Sequence, residues 1–288
     1  VTRKRRLVRL GWLCAVTLLV AALLAAGYLW LSYHGPAAPV QVYRGITYSC
    51  EALPTTPESG GLLHLVKVDL SAPGVRFYIT PLNPASQARG WQYRLQYVPL
   101  VVRRQGLAVA VNGTLFRSDD PLHIQLAGDD AHALETLVAN HVVSHFWQHT
   151  YLLWWDDLNI AHLETTKPPS AAALAGARWA IGGQFVLLYD GKVHPFAGHE
   201  PEQRTMIAAN PREHLVWLAS FDRASYAFAG HALAARGATL GILVDGGWSR
   251  AMALGKDSVG TRGGRVTGCW RPVANVFGFY ADPLPRER

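Results

Sequence analysis

Cysteine is scarce: the 288 residues contain three. That excludes a disulfide-dense scaffold. Charge is scarce too, at 16% against 50% hydrophobic residues, which excludes a disordered or fibrous chain. No acidic residue precedes Glu51, and no basic run follows the first nine positions. Arg3, Lys4, Arg5, Arg6 and Arg9 hold much of the net charge of +7; without them 22 basic residues face 20 acidic ones. A nucleic-acid binder needs a concentrated basic face against the phosphates. The body has none, so no nucleic-acid partner is expected. Repeats of fixed period are also absent. The length suits one large domain or two small ones.

What is present first is an apolar run. From Leu10 to Tyr33, 24 consecutive residues carry no formal charge, directly after the basic cluster. About 20 apolar helical residues cross a hydrocarbon core of roughly 30 Å. Trp12 near one end and Tyr28, Trp30 and Tyr33 near the other match two interfacial belts. The pattern predicts a cytoplasmic basic tail (1–9), a transmembrane signal-anchor (10–33), a linker (34–61) and a body (62–283). By the positive-inside rule the body lies outside the cell membrane, in the periplasmic or extracytoplasmic space. A cleaved signal peptide is the alternative, with Ala22, Ala25 and Ala26 as small residues near a cut site. Cys50 and Cys269 either pair in an oxidising compartment or stay as two separate thiols.

The body reads as strands. Alternation or β-branched runs mark Gln41–Tyr48, Leu62–Leu70, Val75–Thr80, Leu107–Val111, Phe185–Tyr189, Met206–Ala209, Leu215–Phe221 and Leu240–Val244. Helices are fewer: Arg94–Arg104, despite Pro99, and Phe228–Arg236 with Gly237 after it. The expected fold is a strand-rich mixed α/β (α+β) single domain preceded by one transmembrane helix. His141, His145 and His149 are four apart and would align on a helix to ligate zinc. Their surroundings, rich in Val, Trp and Tyr around Asp156-Asp157, suit a hairpin instead, where they do not converge.

Chemistry is best displayed where strands end in turns. One such place is Asn112-Gly113-Thr114, whose amide can donate to and accept from hydroxyl or phosphate groups. A second is Arg204-Thr205, with Asp222-Arg223 ending the next strand; an Arg fork suits phosphate. The third is Asp245-Gly246-Gly247-Trp248-Ser249, where two glycines after a carboxylate allow close approach of a ligand. A serine-hydrolase elbow at Ser249 fails, because the last histidine, His231, precedes it.

Asn112-Gly113-Thr114, Ile181-Gly182-Gly183, Asp190-Gly191-Lys192, Arg204-Thr205 and Asp245-Gly246-Gly247-x-Ser249 stand in the order typical of the phosphodiester glycosidase domain. Residues 60–283 resemble that family, most closely over 181–255, and 271–279 resemble its closing strand. The resemblance departs at Trp248, where the family usually has a third glycine. It implies hydrolysis of a carbohydrate phosphodiester at the anomeric carbon, with a glycan of the envelope or an exopolysaccharide as substrate. Glycoside cleavage commonly uses two carboxylates. Asp245 is the first; the resemblance implies Asp222 as the second, with Glu202 and Asp129 in reserve. Arg204 would then face the phosphate, and Asn112, Gly113, Thr205, Gly246, Gly247, Trp248 and Ser249 would line the substrate. A divalent metal as cofactor stays open.

Two other readings remain. One is a non-catalytic glycan-binding envelope protein that stacks sugars on Trp154, Trp155 and Trp248. The other is a metal-dependent hydrolase built on the histidines.

Overall fold

The computed structural model describes residues 12, 16–23, 37–118, 125–195, 200–259 and 264–285. The chain divides into two units, 1–34 and 35–288. In the first, residues 16–23 are helical. Most of the expected span 10–33 lies outside the described residues. Among the described residues no helix is long and apolar enough to cross a membrane.

The second unit is a strand-rich α+β domain. Every pairing among its described strands is antiparallel. An eight-stranded sheet runs in the order 37–43, 46–52, 59–69, 215–224, 202–210, 240–243, 185–189 and 192–193. Its central strands bury both faces. Along Ser59–Asp69, Leu63 and Leu65 join one core while Val66 and Val68 join another. Strand periodicity of two is what sends them apart. The first core lies beneath the helix Tyr226–Ala234 and contains Met206, Trp217 and Phe221. The second and larger core includes residues of two five-stranded sheets. There Phe77, Trp155, Phe277 and Phe279 pack as an aromatic cluster, with the Phe77 ring 5.0 Å from Trp155 and 4.9 Å from Phe279.

Several expectations shift. Residues 34–61, read as a linker, instead enter the sheet from Ala37 onward. The stretch read as one strand, Gln41–Tyr48, is a hairpin of Ala37–Tyr43 and Ile46–Ala52. Gly45, at φ +73°, makes the turn. The helix expected over Arg94–Arg104 begins later, as Val98–Gln105. Pro99 then sits in the first turn, where its missing N–H costs nothing. Tyr151–Trp155 and Ala161–Glu164 form the hairpin that the Asp156-Asp157 pair suggested. His141 and His162 bond to Asp157 and Asp156, and His145 meets Gln92. Among the described residues no three or more His, Cys, Asp or Glu side chains gather as a cation cage. Cys50 and Cys269 do not form a disulfide. Trp155 is core rather than a sugar platform, and Trp154 stacks on His162 at 4.1 Å.

Candidate active site

Asp245 lies two residues beyond the end of the strand Leu240–Leu243 and is 5% exposed. The turn after it needs its glycines for two different reasons. A Cβ on Gly246 would stand 2.6 Å from the Gln203 carbonyl oxygen, so only glycine lets the turn lie against the neighbouring strand. Gly247 adopts φ +56°, a left-handed conformation that most side chains resist. Ser249 follows on a short 3₁₀ turn and is fully buried.

Asn112 joins these pieces rather than awaiting a ligand. It is 1% exposed. Its Nδ2 donates to the Asp245 carbonyl at 2.6 Å. Its Oδ1 accepts from Thr205 Oγ1 at 2.7 Å and from the Ala251 N–H at 2.9 Å. Expected at a mouth, Asn112 is instead a rivet between three strand ends. Thr205 is likewise buried and spent on it. Asn275 does similar work one step away: its Oδ1 accepts from the Thr114 N–H at 3.0 Å, its Nδ2 donates to Thr114 Oγ1 at 3.0 Å, and its carbonyl takes the Gly113 N–H at 2.9 Å.

The cation beside Asp245 is Arg271. Its Nη2 lies 3.9 Å from Asp245 Oδ2, an oxygen with no hydrogen-bond partner. Its Nε donates to Ser249 Oγ at 2.9 Å, Nη2 donates to the same oxygen, and the guanidinium lies 5.2 Å from the Phe116 ring centre. Burial pushes the Asp245 carboxyl up to about 6, and Ser249 and Arg271 oppose the rise.

A second carboxylate, Glu135, shares this environment. It sits in the bend between Asp130–Ala133 and Leu137–Ala139 and is 3% exposed. Oε2 accepts from the Leu115 N–H at 3.3 Å; Oε1 has no partner. Burial raises its carboxyl to about 8; the Leu115 bond opposes that, and the negative charge of Asp245 adds to it. The Ile181-Gly182-Gly183 motif explains the placement. A Cβ on Gly182 would meet Thr150 Oγ1 at 2.5 Å and the Thr136 nitrogen at 2.8 Å, so the glycine admits the segment bearing Glu135.

Arg204 and Asp222 stand elsewhere. In Glu202–Asn210, Thr205, Ile207 and Ala209 face the larger core, while Arg204 shares its face with Met206 and Ala208. The Arg204 guanidinium lies 4.4 Å from the Tyr226 ring centre, pairs with Glu202 at 3.2 Å and donates to the Glu200 carbonyl at 3.0 Å. It is therefore across the sheet from Asn112, and alternation along a strand is the reason. Asp222 accepts from Arg250 Nη1 at 2.5 Å and from the Leu62 N–H at 2.9 Å. It lines a cleft with Glu202, Gly247 and Trp248. Asp129, a reserve carboxylate, bonds to the Leu126 N–H at 2.6 Å. Glu135 was missed in the sequence, though a lone acidic residue in an apolar stretch next to a strand was a usable signal. Arg271, read only as part of a closing strand, had none.

Among solved structures, 13% of residues match a hypothetical protein from Synechocystis at a TM-score of 0.62, over 82% of this chain and 62% of that one. This chain thus spans under two thirds of that protein's length. The catalytic domain of zebrafish N-acetylglucosamine-1-phosphodiester alpha-N-acetylglucosaminidase, auto-inhibited by its pro-peptide, is similar at 14% identity and a TM-score of 0.59, covering 84% of this chain and 87% of that one. A putative exported protein of Burkholderia pseudomallei is similar at 11% identity and a TM-score of 0.54, over 76% and 74%. These likenesses show the fold. No curated protein matches. The phosphodiester glycosidase family model matches residues 105–280, more than half of the chain and all of the Asn112, Glu135, Asp245, Ser249 and Arg271 constellation, and the chain belongs to that family.

Proposed function

We propose that the chain hydrolyses the bond between an anomeric carbon and a phosphodiester oxygen, releasing a sugar and a phosphate monoester. The observation that carries this reading is the pair Asp245 and Glu135. Two buried carboxylates whose environments set their affinities for protons apart are the usual signature of acid and base roles. Near pH 7 Asp245, at about 6, is ionised and Glu135, at about 8, keeps its proton. Glu135 gives that proton to the departing phosphate oxygen as the C1–O bond breaks. Asp245 stabilises the positive charge that grows at C1, and it either attacks C1 or draws a proton from the attacking water. Arg271, one third exposed, offers its remaining donors to the phosphate oxygens. Asn112 and Thr205 hold the Asp245 turn in place and act through it.

The basic cluster and the uncharged run support a membrane-anchored enzyme acting outside the cell on envelope or exopolysaccharide glycans. The binding-only alternative loses Trp155, which is buried.

The test is incubation of the purified chain with methyl phosphodiesters of N-acetylglucosamine, glucose and mannose, each linked at C1. Free reducing sugar together with methyl phosphate is expected from at least one. Folded protein that releases neither from any of them would overturn the reading.

A further inference from the structure

Two indoles that the carboxylate pair does not use stand open in one cleft. Trp248 is 76% exposed and Trp270 is 54% exposed. With Gln203, Glu202, Asp222 and Arg223 they line a space of about 780 Å³. That volume falls in the range of sites for sizeable small-molecule ligands. The cleft begins at the carboxylate turn: Gly247, two residues after Asp245, is part of its lining. Trp248 precedes Ser249 and Trp270 precedes Arg271, and Ser249 and Arg271 bond to each other beside Asp245.

The chemistry of the lining selects its occupant. An indole face is electron-rich and attracts the polarised C–H face of a pyranose ring. Around the indoles, carboxylate and amide oxygens accept hydroxyl hydrogens, and Arg223 adds a cation. Asp222 is fixed there by Arg250 and by the Leu62 N–H. A lipid chain would cover the indoles but strip the carboxylates beside them of water. Sugars use both kinds of surface.

We propose that this cleft is a subsite for sugar units beyond the scissile bond, so that the substrate is an oligosaccharide or polysaccharide phosphodiester rather than a single sugar. The proposal rests on the hydrolytic reading above, and it adds a specificity element to it.

The test compares two methyl phosphodiesters with the same scissile group, one on a single N-acetylglucosamine and one at the reducing end of chitotetraose. Gluco- and manno-configured pairs are run alongside, and binding of the free tetrasaccharides is followed by calorimetry. The whole chain, residues 1–288, in detergent is used. At least one pair is expected to show about tenfold higher kcat/KM for the four-sugar substrate, expressed mainly in KM. Trp248→Gly and Trp270→Ala should each reduce that ratio about tenfold, with thermal unfolding close to that of the parent. Equal kcat/KM for one and four sugars in every pair overturns the subsite and leaves the hydrolytic reading standing. A preference that survives both substitutions also overturns it. Tetrasaccharide binding that needs Trp248 and Trp270, without hydrolysis of any substrate, keeps the subsite and removes the hydrolytic reading. Neither binding nor hydrolysis overturns both.

Discussion

Arg271 reaches Asp245 and Ser249 with one guanidinium, standing 3.9 Å from the carboxylate and 2.9 Å from the hydroxyl oxygen. Ser249 is thus a positioning residue: it accepts from Arg271 and so holds the cation beside the acid. The same contact brings together an Arg and a carboxylate that stand 26 positions apart in the chain.

Loss of either carboxylate should cost turnover. Asp245→Asn and Glu135→Gln are each expected to slow hydrolysis of a one-sugar phosphodiester by about 100-fold or more, the lower range for an acid–base group. Asp222→Asn should cost less than either, since Asp222 lies in the aromatic cleft. Steady-state kinetics with circular dichroism of each variant decides this. A full rate for Glu135→Gln would remove Glu135 from the mechanism.

The two arginines should separate cleanly. Arg271→Ala is expected to lower kcat/KM on the phosphodiester by about 100-fold, the range for losing one donor to developing charge, while sparing a simple aryl glycoside. Arg204→Ala should instead lower stability, by about 1–3 kcal/mol, because it empties a buried site packed over Tyr226. Parallel urea titrations and rate measurements on both substrates test the contrast.

Acidity enters twice. The rate should rise with pH as Asp245 ionises near 6 and fall as Glu135 loses its proton near 8. Stability runs one way only. Both carboxyls bind protons more tightly folded than unfolded, so their contribution is complete below about pH 4 and is lost as pH rises towards 8. Glu135→Gln should therefore match the parent at pH 4 and exceed it at pH 8 by on the order of 2–4 kcal/mol. Chemical denaturation at the two pH values checks the sign.

Asn112→Ala should be among the most damaging substitutions. It leaves the Thr205 hydroxyl, the Ala251 N–H and the Asp245 carbonyl without their buried partner. About 2–4 kcal/mol of stability should disappear, together with activity. A stable but inactive variant would instead place the amide on the substrate.

Topology is tested separately. Protease added to intact spheroplasts should digest residues beyond the apolar run, and full protection would argue against an extracytoplasmic body. A product starting near Tyr28 would favour cleavage over anchoring.

The strands were legible because their two faces fill different cores: Leu63 and Val66 alternate in sequence as they alternate in space. Helix starts were less so, since Pro99 reads as a breaker until its place in the first turn is known. At the site, the turn Asp245-Gly246-Gly247 announced itself through its glycines. Arg204 misled because neighbours along a strand take opposite faces, so Thr205, one position on, turns to Asn112 while Arg204 turns to Tyr226. Glu135 carried only the weak signal of a lone acid in an apolar stretch; its meeting with the Leu115 N–H and with the charge of Asp245 joins distant segments, and no local pattern encodes it.

The bond from Asn112 to Asp245 spans 133 positions, and Thr114 meets Asn275 across 161. Closing loops of that length costs chain entropy before any contact compensates for it, and such topologies fold slowly. The carboxylate turn and its supports can therefore be in register only after the chain has been made past Asn275 and folded back onto Thr114. A nascent or truncated product would carry Asn112 and Glu135 yet lack the Asp245 turn and Asn275, so the constellation forms late, as an all-or-none mark of maturation.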